Sequence, residues 1–174
     1  MLFETSRLYV TKWKKQDLDV LYNLFNDSAI KDFIAPRLTI EETEQIFHQQ
    51  LLDYNNSSVF GRYFIKEKLS SKFIGLFLLK NIPEMDSVEI GYSLIKEEWK
   101  KGYATEVVNE SLNWLFNQQG FTKVYAVTEL DNSESQNVLL KAGFKRENDI
   151  VEDGRAMSLF MISKRNDPLE WPVC

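Results

Sequence analysis

Cysteine and histidine are nearly missing from this sequence: Cys174 and His48 are the single representatives of each. One cysteine cannot form an internal disulfide, and one histidine beside it cannot supply an ordinary cysteine-histidine zinc cluster. His48 lies in "QIFHQQLL" with no partner motif, so a helix-surface histidine is the plain reading and a catalytic one lacks support. Carboxylates alone do not suggest a metal site either, and no metal is expected.

Glycine-rich nucleotide loops are absent too. Neither G-x-x-x-x-G-K-[ST] nor G-x-G-x-x-G occurs, which argues against an ATP P-loop and a dinucleotide fold. No apolar segment approaches the length that spans a bilayer, and "MLFETSRLYVTKWKK" brings in charge too early for a signal-peptide core. The expectation is a cytoplasmic protein with no membrane association. Basic excess is also missing, since 21 Lys and Arg stand against 26 Asp and Glu, a net charge of -5. That balance disfavours direct nucleic-acid binding and makes cationic or amine-bearing partners electrostatically easier.

What is present is a full core. The chain has 174 residues, 44% hydrophobic and 13% aromatic, which suits one domain over 1–174 with a core of about 5–165 and a short tail, 166–174. A strand is expected at Leu8 to Trp13. The helix "DLDVLYNLFND" follows, started by Asp17, with Leu18, Leu21 and Phe25 at helical spacing. A second helix, in "PRLTIEETEQIFHQQLLD", has Thr39 as its N-cap and Ile40, Phe47 and Leu51 among its apolar positions.

Three runs, "VFGRYFIKEK", "KFIGLFLLK" and "VEIGYSLI", then read as successive strands of an antiparallel meander, with a hairpin at "KLSSK" and a link at "NIPEMDS". From Gly102 an apolar stripe of Ala104, Val107, Val108, Leu112, Leu115 and Phe116 marks a helix that Gly120 can terminate. "KVYAVTEL" reads as a strand, "SESQNVLLKAG" as a shorter helix and "AMSLFMISK" as a last strand after a turn at "EDGR". The order predicts an α/β or α+β domain with a mixed sheet.

The junction "EEWKKGYATEV", residues 97 to 107, poses the functional question. A helix start presents unpaired amides and the positive end of the helix dipole, here the amides of Lys100 to Thr105, and so suits an anion. Gly102 and Ala104 keep the turn small, and Lys100 and Lys101 add charge. Taken alone, the stretch is more often only a solvated helix start.

This order of elements and these motifs resemble the GCN5-related N-acetyltransferase superfamily, in particular the branch of bacterial ribosomal-protein N-terminal acetyltransferases. The resemblance covers roughly residues 5 to 165. The family's cofactor signature is R/Q-x-x-G-x-G/A, and "WKKGYA" places Trp99, Gly102 and Ala104 on it, with Trp99 departing from the first place. The resemblance implies an acyl-CoA N-acyltransferase-like fold, a mixed and largely antiparallel twisted sheet flanked by helices. It further implies acetyl-CoA as acyl donor, contacted by Leu94, Ile95, Lys100, Lys101, Gly102, Tyr103, Ala104 and Thr105.

The later "DNSESQNVLLKAGF" matches the family segment N-x-x-S/A-x-x-x-x-x-x-x-G-F at Asn132, Ser135, Gly143 and Phe144. Asn132 is a pantetheine contact by resemblance and a helix cap by local reading. Asn137 and Lys141 match variable contacts to the nucleotide end, or simply face water; Lys145 and Arg146 read more readily as a charged strand edge. Many family members use a tyrosine hydroxyl as general acid where this chain has Leu139. That leaves Ser135 as the candidate for leaving-thiolate stabilisation, with Tyr92 and Tyr125 as rival hydroxyls.

Glu89 interrupts the apolar strand "SVEIGYSLI". It is edge-exposed or paired and solvated, and it matches the carboxylate implicated as a base in this branch. The resemblance thus implies direct acetyl transfer to a primary amine, a protein N-terminal amine or a small-molecule amine or antibiotic. A non-catalytic acyl-CoA-binding sensor is the alternative. The N-terminal helices form a wall of the acceptor groove by resemblance, with Phe33, Pro36 and Arg37 at its mouth. A monomer or homodimer is expected.

Overall fold

In Leu8–Thr11, Leu8 and Val10 are buried while Tyr9 and Thr11 are half-buried, the period-two pattern of a pleated chain. The computed structural model describes residues 1–26, 39–55, 58–152 and 154–164. They fall into two compact units, Met1–Leu79 with Tyr92–Tyr103, and Lys80–Gly91 with the chain from Ala104 onward. Phe33, Pro36, Arg37 and the tail 166–174 lie outside the described residues.

In the first unit β1 (Phe3–Glu4) pairs antiparallel with β2 (Leu8–Thr11), and β2 with β3 (Gly61–Glu67). β3 pairs antiparallel with β4 (Phe73–Ile82), Gly61 facing Leu79. The hairpin expected at "KLSSK" is present, with Ser71 left-handed at φ 58° and Glu67 N–H bonded to the Lys72 carbonyl at 2.9 Å. The expected strand Leu8 to Trp13 stops at Thr11; the Trp13 ring is buried, stacked on Phe47 at 6.0 Å and tilted against Phe64 at 5.7 Å.

α1 (Leu18–Asn26) follows a tight turn in which Asp17 accepts from Lys14 N–H at 2.7 Å. α2 (Ile40–Asn55) opens on the expected cap, reinforced into a capping box: Glu42 N–H donates to Thr39 Oγ1 at 3.1 Å and Thr39 N–H to Glu42 Oε2 at 2.7 Å. Its buried face is Thr43, Phe47, Gln50 and Tyr54, while Ile40 is exposed and Leu51 half-buried. Two polar residues can occupy that face because Thr43 Oγ1 donates to the Thr39 carbonyl at 2.9 Å and Gln50 Oε1 accepts from Arg62 N–H at 2.7 Å.

The second unit carries the start of β5 (Ser87–Leu94), whose Val88 and Glu89 lie parallel to Val124 and Tyr125 of β6 (Lys123–Glu129). β6 pairs antiparallel with β9 (Arg155–Ser163), which also takes β7 (Lys145–Arg146) and β8 (Ile150–Glu152). The short β1 and β8 carry too few residues to show a period and were not expected, while β7 is the charged strand edge read at Lys145 and Arg146. Together the elements are a mixed α/β fold with a largely antiparallel open sheet flanked by helices.

α3 (Tyr103–Asn117) buries the expected Val107, Val108, Leu112, Leu115 and Phe116, with Ala104 half-buried. Gly120, left-handed at φ 79°, follows its end, and Phe121 N–H reaches back to the Leu115 carbonyl at 3.2 Å. α4 (Ser133–Lys141) closes with Phe144 N–H on the Leu139 carbonyl at 3.1 Å across a left-handed Gly143.

Candidate active site

In the first unit the stretch from Tyr92 to Tyr103 leads from β5 into α3. Gly75 of β4 lets this stretch come close, because a Cβ there would stand 2.1 Å from the Ser93 carbonyl. Ile95 N–H donates to the Ile74 carbonyl at 3.0 Å. Trp99 turns its indole back along the chain and donates from Nε1 to the Leu94 carbonyl at 2.7 Å.

Lys100 and Gly102 are both left-handed, at φ 61° and 82°. A Cβ on Gly102 would meet Arg7 Nη2 at 3.5 Å, an ordinary contact, so the backbone angle rather than crowding demands glycine. The two lysines differ. Lys101 Nζ is 3.0 Å from Glu98 Oε2, and Lys72 Nζ is 2.5 Å from Glu98 Oε1, so one buried carboxylate is clasped by two ammonium groups. The hydrogen bond from Lys72, aided by Lys101, holds the Glu98 carboxyl below the usual range despite burial. Lys100 is exposed and enters no ion pair among the described residues.

Arg7 completes this arrangement, and the sequence reading did not single it out. Its Nη1 donates to the Lys101 carbonyl at 3.1 Å, and its guanidinium lies 4.4 Å above the Tyr103 ring. Tyr103 O–H donates to Glu67 Oε1 at 3.0 Å. The local signal is the turn "ETSRL", where buried Thr5 accepts from Arg7 N–H at 3.3 Å and Leu8 N–H at 2.9 Å.

In the second unit Glu89 is 14% exposed, with Lys80 Nζ 3.5 Å from its Oε2 and 3.1 Å from Glu152 Oε1. It is therefore neither an open strand edge nor fully buried. Burial pushes its carboxyl above the usual range, Lys80 pulls the other way and the Glu152 charge adds to the rise.

Ala104 and Thr105 occupy the first turn of α3, both half-buried. Asn132 caps α4, its Oδ1 accepting from Ser135 N–H at 3.0 Å, so its side-chain oxygen performs the local role foreseen for it. Ser135 is half-buried on the first turn, while Asn137 and Lys141 are exposed. Leu139 is 1% exposed and belongs to the core. Tyr125 is buried on β6 and Tyr92 half-buried on β5; Arg146 is exposed on β7 and pairs with Asp149 at 2.9 Å. His48 is exposed on α2.

A cavity of about 360 Å³ is lined by Gln45, Ile46, Gln49, Gln50, Asp53 and Arg62, none of them among these candidates. Among the described residues no group of three His, Cys, Asp or Glu side chains could hold a metal, and no helix is long and apolar enough to cross a membrane.

The model of the acetyltransferase (GNAT) domain matches residues 7–145. The spermidine N(1)-acetyltransferase of Vibrio cholerae is 26% identical over 151 residues, covering 85% of this chain and 84% of that protein. The structure of a Vibrio cholerae spermidine N-acetyltransferase in complex with CoA and spermine superposes with a TM-score of 0.75 at 22% identity, over 91% of this chain and 96% of the other. The ribosomal-protein-S5-alanine acetyltransferase of Vibrio fischeri gives 0.77 at 21% identity, over 94% and 97%.

Proposed function

Since the chain belongs to the acetyltransferase (GNAT) family, we propose that Glu89 takes the proton of an acceptor amine in the acetyl transfer this family performs. The protein is an acetyl-CoA-dependent N-acetyltransferase whose acceptor is an amine. The observation that carries the reading is the environment of Glu89: a mostly buried carboxylate with one ammonium nearby, its proton affinity raised by burial in the direction that favours a general base.

Bound acetyl-CoA would supply the acetyl group as a thioester, already electrophilic. The residues around the α3 start suit its phosphates. Gly102 leaves the turn open, the amides from Lys100 to Thr105 provide donors, and Lys100 provides a cation that no carboxylate claims among the described residues. Lys101 has a different part, since Glu98 and Arg7 hold it to the turn. Leu94, Ile95, Asn132, Asn137 and Lys141 are the further donor contacts that the family resemblance implies.

As the amine nitrogen bonds to the acetyl carbon and the carbon–sulfur bond breaks, Glu89 receives the nitrogen's proton, directly or through water. Ser135 donates a hydrogen bond toward the departing sulfur. Leu139 cannot do so, having no hydroxyl. Direct transfer needs no protein nucleophile, consistent with a sequence whose single cysteine is Cys174.

The leading acceptor is a protein N-terminal amine. A small polyamine is the second reading, favoured by the spermidine acetyltransferase relative and by the net charge of -5. One screen for free-thiol release, across N-terminal peptides, polyamines, amino acids and aminoglycosides, tests class and acceptor together. Turnover with one acceptor class identifies the substrate. Retention of acetyl-CoA with no thiol released by any acceptor would favour a binding module.

A further inference from the structure

The proposed base does not stand alone. Lys80 extends from β4 to Glu89 on β5 and also to Glu152 on β8, at 3.5 and 3.1 Å. Tyr125 is the register partner of Glu89 on β6. Arg155, facing Glu152 in the β8–β9 register, is bonded to Glu129 at 3.2 Å. Two carboxylates thus share one ammonium, and the nearer is not the proposed base.

We propose that Lys80 is a shared counter-ion, held off by Glu152 so that Glu89 stays charged without being fully paired. This rests on the reading of Glu89 as base. A base must be ionised before it can accept a proton, and a half-buried carboxylate with no cation nearby would bind one prematurely. A carboxylate in a full salt bridge fails in the opposite way, because its proton affinity is too low to draw a proton from an ammonium. Glu152 resolves the conflict by competing for the same Nζ. Lys80 is a positioning residue in this scheme: it acts through Glu89 and takes no proton from substrate.

The arrangement predicts opposite consequences for its two partners. Lys80→Met removes the cation, so Glu89 gains a proton more easily. Glu152→Gln leaves the ammonium to Glu89 alone and removes a neighbouring negative charge, so Glu89 loses its proton more easily. Lys80→Arg keeps the charge. Both Lys80 and Glu152 are substantially exposed, at 51% and 35%, so their substitution should leave the fold intact.

The test is a carbon-13 NMR titration of the glutamate carboxyls in the full chain, with the Glu89 signal assigned by its loss in Glu89→Gln. Because Lys80 is half exposed, a shift of roughly 0.5 to 1 pH unit is expected, below the range for a closely paired carboxylate. The Glu89 midpoint should rise by that amount in Lys80→Met, fall in Glu152→Gln and stay near wild type in Lys80→Arg. An unmoved midpoint in Lys80→Met would overturn the counter-ion role. A rise in Glu152→Gln would make Glu152 a tether instead of a competitor and overturn the sharing. The pH profile of kcat/KM separates this from the reading beneath it. Its acid limb should follow the NMR midpoint across the variants; if the midpoint moves and the limb does not, Lys80 tunes Glu89 but Glu89 is not the base.

Discussion

The indole N–H of Trp99 is bonded to the Leu94 carbonyl at 2.7 Å, so the residue that departs from the family's cofactor signature ties the end of β5 to the turn before α3. Replacing it with Phe keeps a ring but removes the donor to that carbonyl. Trp99→Phe should lower unfolding stability by about 1 kcal/mol, read from urea denaturation at unchanged m-value. No loss would mean that water satisfies Leu94 equally well.

Gly102 makes a second test of the same turn. Its φ of 82° disfavours any residue with a Cβ, and most of all a β-branched one. Gly102→Val should weaken acetyl-CoA binding about tenfold or more by calorimetry, while Gly102→Asn, which tolerates left-handed backbone, should weaken it less. Equal affinity in a folded Val variant would remove the turn from the donor site.

Glu98 links acid stability to that turn. Its folded-state proton affinity is depressed by Lys72 and Lys101, so its stabilisation is fully present above the ordinary glutamate range and lost as pH falls through the depressed value. Urea unfolding between about pH 3 and 7 should show wild type losing stability toward acid more steeply than Glu98→Gln, given ordinary glutamate titration near 4.3. Parallel curves would mean the clasp contributes nothing.

Ser135→Ala should reduce turnover by about tenfold or more while changing acetyl-CoA affinity little, if the hydroxyl acts mainly on the departing sulfur. Its backbone N–H, already held by Asn132, is unaffected by the change. Equal turnover at saturating substrates, with chemistry limiting, would return attention to Tyr92, Tyr125 or water.

Much of this was legible in the sequence where the signal is local. Thr39 announced a helix start, and the stripe from Val107 to Phe116 announced a buried face. Local patterns failed where distant residues decide the outcome. The apolar pattern of α2 pointed to Ile40 and Leu51, yet Thr43 and Gln50 are buried with bonds to backbone groups, the Gln50 Oε1 accepting from the Arg62 amide of β3. The ion pair of Lys101 with Glu98 and the bond from Arg7, 94 positions away, to its carbonyl carry no signal in the motif either. Lys80 and Glu152, separated by 72 positions, carry no joint pattern at all.

The central claim is that Glu89 is the base. Glu89→Gln preserves size and removes basicity, so turnover should fall by roughly 10²- to 10⁴-fold, the usual worth of general-base catalysis. Acetyl-CoA affinity should hold, because the donor's phosphates are assigned to the α3 start. Activity in wild type should be lost as pH falls through the raised midpoint of Glu89, and that limb should vanish in the variant. The decisive measurement is the pH profile of kcat/KM for wild type and Glu89→Gln, taken with two acceptors of different amine basicity so that the enzyme's limb is the one that stays put. The account predicts a Glu89-dependent acid limb and a large drop in rate; a folded variant with wild-type turnover and the same limb would contradict it.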